Sequence, residues 1–226
     1  MTTSDTTPAD PRWRRQPEER PRQILDAAVA VFSEHGIAAA KLEEIAARAG
    51  VSKGTIYLYF PSKEDLFREV VRQDVVPLIA RADNVLMHGT PTEQLVEYLH
   101  HQWKSLTRDE SEGWIRLVLL ELHKYPDLAE FYRQEVIARS NHVLGDIVRR
   151  GVASGEFRAI EPDTAVAMTK AIILMHVLWT GRCSHAPQFR AKPPGQVIAD
   201  ITDFVLHALR ADRAATSEPR AGASAA

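Results

Sequence analysis

The sequence predicts an all-α protein of nine helices, divided into an N-terminal three-helix helix-turn-helix domain and a C-terminal helical domain. Three observations predict it. Apolar residues recur at i, i+3, i+4 and i+7 from Pro21 to Arg210, and the strict alternation of a half-buried strand is almost absent. Gly and Pro fall between the periodic stretches, where helices stop and start. The run Ile45–Phe67, IAARAGVSKGTIYLYFPSKEDLF, reads as two short helices about a tight turn at Ala49-Gly50-Val51. Gly50 can take the left-handed conformation that ends a helix.

The N-terminal elements follow in order. The first helix, α1, is expected over Pro21–His35, with Ile24, Ala27, Ala28, Val31 and Phe32 as one stripe and Gly36 closing it. Helix α2 is expected over Lys41–Ala49 and buries Leu42, Ile45 and Ala46. Its start carries Ala40-Lys41, neither a good cap, which costs about 1 kcal/mol. Helix α3 spans Lys53–Tyr59 and stops at Pro61. Ser62 caps α4, with Asp65 completing a capping box, and α4 continues towards Met87 with a kink at Pro77.

Gly89-Thr90-Pro91 separates α4 from α5, expected over Thr92–Leu106. Then come α6 (Glu112–Lys124), α7 (Leu128–Ala153), α8 (Pro162–Arg182) and α9 (Gln196–Arg210). The loop before α9, CSHAPQFRAKPPG, is polar and proline-bearing. Residues 1–17 and 214–226 read as mobile tails. The helix-turn-helix domain is expected over 18–67, with α4 a linker to about residue 87, and the second helical domain over 68–213.

Composition bounds the function. The 226 residues are 45% apolar and 26% charged, enough for a sizeable core in one or two domains. Net charge is −2, which argues against a sequence-independent DNA packer. The first 70 residues carry ten Lys/Arg against eleven Asp/Glu, so any DNA footprint must come from arrangement. The window Ile45–Lys63 contains no Asp or Glu but does contain Arg48, Lys53 and Lys63. An acid-free helix-turn-helix with tyrosine hydroxyls on its second helix suits the phosphate-lined major groove. Cys183 is the single cysteine, which points to a reducing, cytoplasmic setting and a passive thiol. No apolar run approaches the roughly 18 residues of a membrane span, and the N-terminus lacks an apolar signal core.

The segments ILDAAVAVFSEHG and LEEIAARAGVSKGTIYLYFPSKEDLF resemble the TetR family of transcriptional regulators, over about residues 22–67. The resemblance implies a dimeric, ligand-responsive DNA-binding regulator, most often a repressor, whose C-terminal helices hold a small-molecule pocket and a dimer face. It implies DNA-facing roles for Ser52, Lys53, Gly54, Thr55, Tyr57 and Tyr59. Physical reasoning agrees on most of these. Ile56 and Phe60 lie one turn apart and turn inward, leaving Thr55, Tyr57 and Tyr59 outward. Gly54 permits close backbone approach, and Lys63 can meet a phosphate at the α4 N-terminus. Family members often carry Ser or Thr before α2; here Lys41 is the expected substitute for that phosphate contact. Arg12, Arg14, Arg15, Arg20 and Arg22 form a basic arm, read as a solvated tail or a minor-groove contact.

In the C-terminal half, apolar stripes with isolated polar groups describe either a ligand cavity or a core with satisfied polar residues. The candidates are Trp103 on α5, Trp114, Val118 and Glu121 on α6, and Met168, Ile172, His176 and Trp179 on α8. Glu121 and His176 read equally as a buried salt bridge and a hydrogen-bonded core histidine. Helix α8 is apolar nearly all round from Ala171 to Trp179, and α9 carries Val197, Ile201, Phe204, Val205 and Leu209. A partner subunit supplies the missing cover, so a homodimer through α8 and α9 is expected.

No catalytic, cofactor or metal site is expected. His100 and His101 are adjacent and diverge by about 100° on a helix, and no Cys-x-x-Cys or phosphate-gripping glycine loop occurs. The expected partners are a pseudo-palindromic operator DNA and an apolar or amphipathic effector. The alternative is a helical small-molecule-binding or protein-interaction module without sequence-specific DNA binding.

Overall fold

The computed structural model describes residues 19–85, 88–108, 111–180 and 192–211. Counting each 3-10 or π turn with the helix it interrupts, these form nine helices. Helix α1 is Arg20–Ala39, α2 Leu42–Arg48 and α3 Lys53–Tyr59. Helix α4 runs Lys63–Val70, through a π turn at Val71–Val75, to Val76–Val85. Helix α5 is Pro91–Leu106, and α6 is Ser111–Leu120 followed by a 3-10 turn at Leu122–Lys124. Helix α7 runs Pro126–Tyr132, a π turn at Arg133–Ala138, then Arg139–Ser154. Helices α8 and α9 are Pro162–Thr180 and Pro194–Leu209. Among the described residues the isolated extended pairing is Phe157 with Arg210, where the α7–α8 loop meets the end of α9.

Three local differences from expectation have physical causes. Gly36 does not end α1. It takes φ 76° and ψ 174°, and the chain then winds one further turn to Ala39, closed by Ala40 N–H to Gly36 O at 3.2 Å. The disturbance expected at Pro77 lies just before it. A proline has no N–H and crowds the carbonyl four residues back, and the widened turn ending with Val76 N–H on Val71 O absorbs this. Helix α5 starts at Pro91 because Thr90 and Glu93 form a reciprocal capping box, with Thr90 N–H on the Glu93 carboxylate at 2.8 Å. The expected Ser62–Asp65 cap on α4 is present, with Asp65 N–H on Ser62 Oγ at 3.0 Å.

Two apolar cores organise the chain. One gathers Ile24, Val31, Phe32, Ile45, Ile56 and Phe67 from α1–α4, and it also takes in Leu117, Leu122, Leu128 and Tyr132 from α6 and α7. The other gathers Leu95, Leu99, Leu144, Ile147, Ile173 and Ile201 from α5, α7, α8 and α9. The helix-turn-helix head is therefore not an island: its core continues into the body through α6 and the start of α7. The rings of Phe67 and Trp114 stack at 5.2 Å across that junction.

Arg20 and Arg22, expected in the basic arm, belong to α1. Arg22 pairs with Asp74 at 2.6 Å and Asp26 at 2.7 Å, fastening α1 to the π turn of α4. Arg12, Arg14, Arg15, both tails, Cys183 and the last two residues expected in α8 lie outside the described residues.

Candidate nucleic-acid interface

The turn between α2 and α3 is a Schellman motif. Val51 N–H bonds Ala46 O at 2.9 Å, Gly50 N–H bonds Ala47 O at 3.3 Å, and Gly50 has φ 64°. This reverses the chain so that α3 stands across α2 on the surface. Ser52 caps α3, its Oγ accepting Thr55 N–H at 3.1 Å and lying 2.8 Å from Thr55 Oγ1. Ile56 is fully buried and Phe60 nearly so, anchoring one side of α3 in the core. The other side is open: Tyr57 is 47%, Leu58 82% and Tyr59 39% exposed. Leu58 was not among the expected positions. It sits two residues, about 200° of helical turn, from Ile56, so the inward anchor already placed it outward.

Gly54 is exposed and has ordinary φ; a Cβ there would meet only Ser52 Oγ at 3.7 Å. Nothing inside the fold asks for glycine at that position. Lys41 is exposed and stands at the N-cap of α2, with no side-chain cap bond, in keeping with the weak start read from the sequence.

The acid-free window is not acid-free in space. Lys53 Nζ reaches Glu43 at 2.7 Å and lies 5.9 Å from the Tyr57 ring centre. Arg48 grips Glu34 with two bonds of 2.6 Å and Glu44 at 2.7 Å. Hydrogen bonds from these cations hold the Glu34 and Glu43 carboxyls below the usual range. The acids come from α1 and α2, outside the window but folded against it, so Arg48 and Lys53 are already countered in the free protein. Glu34, His35 and Glu44 also present ligand atoms within 4.8 Å of one another, but the Arg48 guanidinium occupies both carboxylates. The cluster is an ion-pair network.

Lys63 is turned inward from the expected phosphate contact. Its Nζ donates to Ala38 O at 3.3 Å and Ala40 O at 3.2 Å, closing the carbonyls at the end of α1. An ammonium has three protons, so one remains for a phosphate.

The eight candidate ligand residues do not converge. Trp114 and Val118 pack with the α1–α4 core, and Trp103 and Ile172 with the α5–α9 core. Glu121 pairs with no cation among the described residues; its Oε2 accepts Ile37 N–H at 3.1 Å. Met168 is 63% exposed on the outer face of α8. His176 Nδ1 lies 2.9 Å from Ile172 O of its own helix, and its ring is 6.1 Å from that of Trp179. A cleft of about 210 Å³ does open between α6 and α8, lined by Ile115, Leu120, Val177 and Leu178 with Glu112 and Arg116. None of the eight lines it. The cleft is walled by α6 and α8, two of the three helices that carry the candidates, along an arc that none of them occupies. Lys170, held between α7 and α8 by Ser140 and Asn141, was not among the candidates; in sequence it is a cation three and four residues from the apolar Ile173 and Val166.

Residues 24–70 match the sequence pattern of the tetR family of bacterial regulatory proteins, and residues 87–191 match the tetracyclin repressor-like C-terminal domain. The fatty acid metabolism regulator protein of Bacillus subtilis is 30% identical over 144 residues, covering 62% of this chain and 73% of that protein. The transcriptional repressor SCO4008 of Streptomyces coelicolor is 42% identical over 166 residues, covering 66% and 74%. The crystal structure of FadR from Bacillus subtilis with stearoyl-CoA superposes with a TM-score of 0.70 at 24% identity, covering 83% of this chain and 98% of that one, a likeness of fold. An outward reading helix on a Schellman turn, matched along head and body alike, makes this chain a DNA-binding transcriptional regulator of the tetR family.

Proposed function

We propose that this regulator is a homodimeric repressor that lays α3 of each subunit into the major groove of a pseudo-palindromic operator and lets go when a small apolar or amphipathic molecule binds among α5–α8. The observation that carries the reading is the outward face of α3, where Tyr57, Leu58 and Tyr59 stand exposed at the end of a helix anchored by Ile56. Large apolar and aromatic side chains left open on a short, well-capped helix are costly unless something covers them. Thymine methyls suit Leu58 and Thr55; phosphates suit the tyrosine hydroxyls, Ser52, Lys41, Lys53 and the remaining proton of Lys63. The bare face at Gly54 leaves room for the sugar-phosphate backbone.

Dimerisation through α8 and α9 is supported by Met168, Met175 and Phe204, which are 63%, 39% and 62% exposed. Their outward stripes need a partner surface, and a second copy meets it with the same stripe. The effector reading is supported by the cleft between α6 and α8, and by the stearoyl-CoA named for the similar crystal structure. Selection of bound sequences from a random DNA pool tests the function. An enriched inverted repeat is expected. Enrichment of no sequence would overturn the reading in favour of a module that does not read DNA.

A further inference from the structure

The body of the protein holds a cation that the DNA-reading face does not use. Lys170 lies on α8 one turn from Val166 and one turn from Ile173, both buried. Across from it, α7 presents Ser140 and Asn141, and Lys170 Nζ donates to Ser140 Oγ at 2.8 Å and to Asn141 Oδ1 at 2.6 Å. The Ser140 side chain is itself 9% exposed. Its Oγ accepts from Gln102 Nε2 at 3.4 Å, and the same amide donates to the buried Tyr98 hydroxyl at 3.0 Å. The network therefore links α5, α7 and α8 at the half-buried edge of the second core.

Every partner of the ammonium is neutral. Burial alone acts on it, and holds its pKa down to about 8, so at neutral pH most molecules carry a charge there without a counter-ion. Fold stability would favour an apolar side chain between Val166 and Ile173. Gln102 spends both amide protons on Tyr98 and Ser140, and Lys170 two of its three on Ser140 and Asn141, so the third ammonium proton is left for an anion. Val143 and Leu144, one turn beyond Ser140 on α7, add apolar wall.

We propose that Lys170 anchors the carboxylate of an amphipathic effector through the free proton of its ammonium, with the apolar part lying along α7 and α8. The proposal rests on the effector reading above and names the head group that reading leaves open. A neutral or cationic amphiphile would leave the ammonium uncompensated and bind less well.

The test uses the full chain with dodecanoate and dodecan-1-ol, which share a tail and differ in charge. Binding is read by thermal shift without DNA, and release by gel shift on the selected operator. Dodecanoate is expected to bind the wild type at least tenfold more tightly than the alcohol and to release the operator. K170Q should bind both equally, and K170R should keep the preference for the acid. Operator binding by K170Q shows that it is folded. Failure of dodecanoate to bind, equal affinity of the wild type for acid and alcohol, or an undiminished preference in K170Q would each overturn the proposal. Operator selection with inert dodecanoate removes the site and leaves the DNA-reading function. Dodecanoate binding through Lys170 without any selected operator removes that function and leaves the site.

Discussion

Glu121, at the end of α6, accepts the backbone N–H of Ile37, 84 positions earlier in the chain, at 3.1 Å. The bond ties α6 directly to the tail of α1, beside Gly36. A Cβ on Gly36 would meet the Glu121 carboxylate, which would have to swing away from Ile37 N–H to make room. The tail of α1 is in turn closed by Lys63, through Ala38 and Ala40 carbonyls, at the start of α4. The tail of α1 is thus held from both sides, by Glu121 of α6 and by Lys63 of α4.

Glu121→Ala should therefore destabilise the fold by about 1–3 kcal/mol, the cost of leaving a part-buried N–H without an acceptor. Glu121→Gln, which retains an amide oxygen, should cost less than half as much. Urea denaturation reads both. Equal losses would mean that the carboxylate charge, not the cap, is what matters. Gly36→Ala should also destabilise, by about 1 kcal/mol or more, because a φ of 76° strains any side-chain-bearing residue and a Cβ there would displace the Glu121 carboxylate.

Leu58 separates reading from folding. Because it is 82% exposed, Leu58→Ala should shift stability by less than about 0.5 kcal/mol. Operator affinity should fall, and Tyr57→Ala or Thr55→Ala should cost on the order of 1–3 kcal/mol of binding. Footprints indistinguishable from the wild type for all three would remove α3 from the groove.

Glu43 competes with phosphate for Lys53. Glu43→Gln should raise affinity for any DNA a few-fold and steepen the log-log salt dependence by about one unit. Titration at several salt concentrations measures it. An unaltered slope would show that Lys53 stays off the backbone in the complex.

Lys63→Ala should weaken binding to all sequences and flatten that slope by about one unit. It should also cost about 1 kcal/mol of stability, since Ala38 and Ala40 carbonyls lose their donor. A stability loss with no change of slope would assign Lys63 to capping alone.

Lys170 sets a pH dependence. Its folded pKa of about 8 lies below the ordinary 10.5. Between these values the unfolded chain holds the proton and the folded chain has released it, so stability rises with pH across that window. Relative to Lys170→Met, the wild type should gain on the order of 2 kcal/mol from pH 8 to 10. Parallel stability curves for the two proteins would contradict the burial of the amine.

Much of this was legible in the residues because it depends on neighbours in sequence. The stripe Ile24–Phe32, the αL residue Gly50 and the Ser62–Asp65 cap are each settled within one or two helical turns. What escaped was set by distant segments. The absence of acid from Ile45–Lys63 said nothing about Glu34 and Glu43, which the fold brings within 2.7 Å of Arg48 and Lys53. Glu121 looked like a pocket carboxylate because its stripe is apolar; its partner, a backbone N–H, leaves no trace in side-chain pattern. In the same way periodicity showed that α6 and α8 have more than one apolar arc, but only packing decides which arc faces the cleft and which, at Met168, faces out.

The central claim is that α3 reads base edges in the major groove twice, once per subunit. Methylation interference at guanine N7 on the selected operator tests it most directly, because that atom lies in the major groove. The account predicts two clusters of interference on one face of the duplex, about 34 Å apart. A single cluster, or full binding to operator methylated throughout, would contradict it.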